Sequence, residues 1–135
     1  MIEIGRALVQ MRLDTAALRG IALNGRDVTW RLDTDFDATE SAMPRSVISL
    51  RISASETLAG VPWTADETIE VSDGGTDSAL DIATRISTAL RGKVWYGEAC
   101  AIQGHTLAAI ESDSAAGAKN TVVLRWFGRA SVRPR

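Results

Sequence analysis

The stretch Glu67 to Gly92, ETIEVSDGGTDSALDIATRISTALRG, constrains this chain more than any other. Ile69 and Val71 alternate with Thr68, Glu70 and Ser72, the two-residue period of a half-buried strand. Past Gly74 and Gly75, residues Ala79, Ile82, Ala83, Ile86 and Leu90 recur at helical spacing and share one face. Asp81, Arg85 and Arg91 fall mostly elsewhere on that helix. Thr76, Asp77 and Ser78 each suit the N-cap, and Gly92 stands where a left-handed residue closes a helix. A helix with one apolar stripe needs a sheet to cover. Ile82, Ile86 and Leu90 are therefore expected to pack against a strand carrying Ile48, Leu50 and Ile52.

The remaining segments are mostly strand-like. Ile4, Ala7, Leu8 and Met11 predict a first short helix over 3–13. Ile21 to Leu23, Asn24-Gly25 and Asp27 to Leu32 read either as a tight type I′ hairpin or as a loop leading into one strand, Val28 to Leu32. Asp33 to Pro44 is polar and aperiodic, hence a loop. Val47 to Ala54 is the clearest strand, with Ile48, Leu50 and Ile52 on one side and Ser49, Arg51 and Ser53 on the other. Ser55 to Asp66, with Gly60 and Pro62, reads as a second loop that holds an apolar trio, Leu58, Val61 and Trp63. After the helix come a strand over 93–102, another over 107–112, a turn over 113–119 and a final strand over 120–129. In the final strand Val122, Leu124 and Trp126 alternate with Val123, Arg125 and Phe127, so both faces carry apolar groups. Such a strand is central in its sheet or touches a second surface. The expectation is one α+β domain over 1–135, a single mixed or antiparallel sheet with two α-helices on one face, and a short basic tail over 131–135.

Composition narrows the chemistry. Of 135 residues 24% are charged and the net charge is −2, so there is no electrostatic case for nucleic-acid binding through the whole surface. Residues 1–14 carry Glu3, Arg6 and Arg12 and lack the apolar core of a signal peptide, and no apolar run approaches the ~18 residues of a transmembrane helix. A soluble, intracellular product is expected. His105 is the only histidine and Cys100 the only cysteine, too few for a structural zinc site. A catalytic dyad of the two would assemble in space, but no family-type signature accompanies them, and they read as a strand thiol and a loop imidazole. Asp33, Asp35 and Asp37 imitate the start of a calcium loop, which then fails at Ala38 and Pro44, where Gly and Glu are required. Gly74-Gly75 lacks the lysine and further glycines of a phosphate loop. No catalytic residue, cofactor or metal is expected. Trp126 is expected in the core, Trp30 at a strand edge and Trp95 beside the sheet. Trp63 is either an interface anchor or local packing beneath its loop.

The element order carries a resemblance. A starting helix and a GRDV stretch lead to the proline-led strand MPRSVISLRISASE, the helix SALDIATRISTALRG and a last strand TVVLRWFGR. This layout, over roughly residues 1 to 130, resembles the tail-terminator (tail-completion) proteins of long-tailed bacteriophages and phage-derived particles. The resemblance implies a structural virion protein, made in the host cytoplasm, that forms a six-fold ring at the head-proximal end of the tail tube. Such a ring stops tube growth and joins the capsid neck, so the implied partners are further copies of itself, the tube protein and the neck or connector protein. DNA passes only in transit, no membrane is involved, and the family has no catalytic residues. On this reading Leu58, Val61, Trp63, Val123, Arg125 and Phe127 are the candidates for subunit contacts. Asp33, Asp35 and Asp37 are candidates to face the lumen or neck. Other readings are a neighbouring neck or minor tail protein, a small-ligand regulatory α+β domain and an enzyme.

Overall fold

Alternation decides which side chains of the long strands are buried. The computed structural model describes residues 2–23, 25–35, 43–52, 60–72, 75–112 and 120–132. Its elements are α1 (Ile2–Asp14), β1 (Ala22–Leu23), β2 (Arg26–Asp27), β3 (Thr29–Leu32), β4 (Arg45–Arg51), β5 (Val61–Glu70), α2 (Gly75–Leu90), β6 (Trp95–Tyr96), β7 (Cys100–Ser112) and β8 (Thr121–Val132). Six strands form one mixed sheet in the order β3-β4-β5-β8-β7-β6, in which only β3 and β4 run parallel. The architecture is α+β. The two-residue strands β1 and β2 pair across positions 24 and 25, so the hairpin reading holds for this segment, as a separate small sheet; Asn24 itself lies outside the described residues.

Val61, Trp63, Ala65, Glu67 and Ile69 of β5 are buried, and they pair with Ala130, Gly128, Trp126, Leu124 and Val122 of β8. Ile48 of β4 and Ile102 of β7 join the same core. Ile4, Leu8 and Met11 come from α1, and Ala79, Ile82, Ala83, Ile86 and Leu90 from α2, as their spacing predicts. Burying each large aliphatic side chain among these contributes about 1.5–3 kcal/mol. The partner of α2 differs from expectation. It lies over β8, β7 and β5, whereas β4 with Ile48 is approached by α1.

Local punctuation explains the boundaries. Gly92 has φ +73 and follows the last turn of α2, as a left-handed closing residue should. The helix begins at Gly75, so Thr76, Asp77 and Ser78 sit inside its first turn and not at the cap; there the charge of Asp77 favours the positive helix end. The second predicted loop is shorter than expected, because β5 already starts at Val61. Pro62 and Gly60 are poor strand residues, but β4 pairs with β5 only as far as Thr64. Among the described residues Pro62 has no partner on the β4 side, and a proline is tolerated where that side makes no ladder bond. The two strands predicted over 93–102 and 107–112 are instead a short β6 and a long β7, joined by a turn at residues 97–99. Two register shifts interrupt the β7–β8 pairing, between Gln103 and Thr106 and between Leu107 and Ala109. Among the described residues no helix is long and apolar enough to cross a membrane.

Candidate interaction face and the buried network beneath it

The two faces of β5 and β8 carry different chemistry. On the outward face, Val123 is half-buried, Arg125 is exposed and Phe127 is 46% exposed. Three of the predicted contact residues thus lie together on an open surface. Arg125 is the centre of a charge ladder across the strands. It bonds Glu111 of β7 at 3.0 Å and Asp66 of β5 at 3.3 Å, and Asp66 is 3.8 Å from Arg51 of β4. Beside the ladder a concavity of about 610 Å³ is lined by Pro62, Thr64, Gln103, Phe127 and Arg129, with Trp63, Gly104 and Gly128 also at its wall. It is a shallow socket with an aromatic ring at its rim and a cation beside it.

Trp63 and Val61, the other described contact candidates, are only 1% exposed, and the structure takes both away from the surface. They point inward because β5 continues through them in register with β8. At that exposure neither has more than a sliver of area to offer a neighbour. The indole of Trp63 lies under Gly128, where a Cβ atom would come within 2.7 Å of Trp63 Cζ2. Leu58 and Asp37 lie outside the described residues. Asp33 and Asp35 form a short exposed 3₁₀ turn after β3.

Beneath the sheet is a constellation that sequence reading missed. Glu67 of β5 is fully buried, and Arg12 of α1 is 1% exposed beside it. Arg12 donates from Nε to Glu67 Oε2 and from Nη2 to Oε1, both at 2.9 Å, and from Nη1 to the Leu8 carbonyl at 2.9 Å. Ser46 Oγ donates to Glu67 Oε2 at 2.6 Å, and Trp126 Nε1 to Oε1 at 2.9 Å. Each carboxylate oxygen therefore accepts two bonds, and no lone pair is left open for a cation. Burial alone pushes the Glu67 carboxyl up; the charge and hydrogen bonds of Arg12, with those from Ser46 and Trp126, outweigh it and hold the group below the usual range.

His105 is not in a loop but on β7, buried between two indoles, 4.1 Å from the Trp126 ring and 5.5 Å from that of Trp63. Gly104, with φ +60, and His105 together stand opposite the single residue Gly128, and this bulge brings the imidazole inward. Arg12 Nη2 lies 3.2 Å from His105 Nε2. Arginine only donates, so Nε2 accepts and the ring proton sits on Nδ1. Burial, then the Arg12 charge, drives the His105 pKa down to about 2 and keeps the ring neutral. Nδ1 of His105 and Nε1 of Trp63 are buried donors without a partner among the described residues, each carrying a desolvation cost of about 1–3 kcal/mol. Cys100, at the start of β7, is buried, and burial followed by the Glu3 charge raises its thiol pKa. A buried protonated thiol is a poor nucleophile, and the one ring nitrogen of His105 able to accept a proton is already held by Arg12.

Comparison with protein-family models, with curated proteins and with solved structures found no match to this chain. A role therefore has to be argued from its own residues. The Glu67 carboxylate is saturated and closed to solvent, which makes it a keystone of packing. On the outward face Phe127 remains 46% exposed beside the charge ladder.

Proposed function

We propose that this chain is a structural subunit that closes into a ring, as in the terminator of a long-tailed phage tail or a phage-derived particle. The observation that carries this reading is the open sheet face, where Val123, Arg125 and Phe127 stand together beside a socket. An exposed aromatic ring next to a concavity and flanked by charges has the composition of an interface core with its polar rim. A closed ring needs heterologous contacts, in which one patch meets a different patch of the next copy. Phe127 with the charge ladder is one such patch. Tail-tube and neck proteins would then meet the two ends of the ring.

Sedimentation velocity of the full chain, followed by negative-stain imaging, tests this. A ring of about six copies is expected, and Phe127→Asp should shift it to smaller species while leaving the unfolding midpoint nearly unchanged. A wild-type chain that stays monomeric at high concentration, alone and with tail tubes, would overturn the proposal.

A further inference from the structure

A second concavity, of about 530 Å³, lies between the segment after α1 and the C-terminal half of α2. Arg85, Thr88 and Ala89 of α2 face it at i, i+3 and i+4, the spacing that stacks side chains on one helical stripe. Arg19 enters from the turn after the 3₁₀ helix Ala16–Leu18, and Lys93 from just beyond α2. Three cations from three segments thus converge on one cleft in a chain whose net charge is −2. Arg85 shares its charge with Asp81 at 3.3 Å, while Arg19 and Lys93 are exposed and have no ion-pair partner among the described residues. The C-terminal end of α2 opposes an anion; the carbonyls of Ser87 and Leu90 are covered by the N–H groups of Arg91 at 2.9 Å and Lys93 at 3.0 Å, and the three cations must outweigh what remains. Ala17, which is exposed, together with the largely covered Ile21 and Ala89 gives the cleft an apolar wall.

We propose that this cleft is a binding site for a small phosphate monoester whose organic body rests on the wall of Ala17, Ile21 and Ala89. Guanidinium forks match a tetrahedral oxyanion through paired hydrogen bonds, and Lys93 adds a point charge. The hydroxyl of Thr88 makes no hydrogen bond within the described chain and remains a donor, whereas that of Thr84 is spent on the Leu80 carbonyl. A monoester brings up to two negative charges, which balance the two cations that lack a carboxylate. A nucleic-acid backbone spreads one charge per phosphate along a strand and calls for a track of cations; here the cations line a single cleft. The site is on different residues from the sheet face, and it stands whether or not the chain assembles.

Titration of the ¹⁵N-labelled full chain with phenyl phosphate tests the site. Saturable shifts are expected at the amides of Arg19, Gly20, Thr88 and Lys93, with inorganic phosphate binding several-fold more weakly because it leaves the wall uncovered. Arg19→Ala with Lys93→Ala should weaken binding at least tenfold, and Thr88→Glu should abolish it. Both variants change exposed side chains, and unchanged resonances elsewhere show that they fold. Three results would overturn the proposal: no saturable shift at ~10 mM ligand, equal affinity in both variants, or displacement of phenyl phosphate by oligothymidylate at a lower phosphate concentration.

Discussion

Asp66 and Glu67 are consecutive residues of one strand, both carboxylates, and each holds an arginine. Asp66 points outward and meets Arg125 at 3.3 Å in a pair that water and salt reach from both sides. Glu67 points inward and meets Arg12 at 2.9 Å where neither group is more than 1% exposed. The strand pleat alone separates them. Coulomb attraction is far stronger inside, but so is the cost of stripping water from each ion, and the inner pair is retained only because every lone pair of Glu67 is occupied. The outer pair has little at stake in either direction. Charge on the inward face holds this fold in one arrangement; charge on the outward face stays in contact with solvent.

The largest test breaks the inner pair. Glu67→Gln keeps the shape but leaves Arg12 as an uncompensated buried cation, and a loss of about 3–5 kcal/mol is expected in urea denaturation. A loss near zero would mean that water reaches the site. Acid should act on the same region. His105 has a folded pKa of about 2 against an ordinary 6.5, so the unfolded chain binds the proton first and stability falls as pH drops below 6.5. The slope is about 1.4 kcal/mol per pH unit, or roughly 3 kcal/mol over two units. Glu67, whose folded pKa is depressed, adds a loss of the same sign only once pH falls below its ordinary 4.5. His105→Gln should flatten the curve between pH 6.5 and 4.5, and an unchanged slope would place the titration elsewhere.

A smaller effect is expected where the two faces come closest. In Gly128→Ala the new methyl would meet Trp63 Cζ2 at 2.7 Å and the Gln103 carbonyl at 2.8 Å, an overpacking that should cost about 1–3 kcal/mol. The smallest effect belongs to the outward ladder. Arg125→Gln should produce no measurable change in the denaturation midpoint of the isolated chain, and a clear loss would show that the ladder is less solvated than its exposure implies.

Much of the fold is legible in the sequence because α1, α2, β4 and β8 repeat their apolar residues at the period of their own backbone. Where two periods compete with punctuation, the reading fails. Gly60 and Pro62 announce a loop, yet Val61, Trp63, Ala65, Glu67 and Ile69 keep perfect alternation and the strand wins. That same alternation contains the overlooked signal for the network, since Glu67 stands in the inward set. Arg12 likewise follows Leu8 and Met11 on the apolar stripe of α1. Their meeting is out of reach of local pattern: 55 residues separate Arg12 from Glu67, and 93 separate it from His105. The cleft of Arg19, Arg85 and Lys93 is hidden for the same reason, being built from three segments with no shared motif. That Phe127 and Arg125 share the outward face follows from the alternation of the one strand that carries them both.

The two bulges of β7 also fix the curvature of the sheet. Residues 103 to 109 of β7 run opposite residues 125 to 129 of β8, seven positions facing five. At roughly 3.3 Å per residue, β7 follows a path about 7 Å longer than the strand it is bonded to. Two ribbons of unequal length, stitched at both ends, can only bow. Removing Gly104 and Ala108 together would equalise them without turning over any side chain that follows. The sheet would then lose the bow that this difference in length imposes.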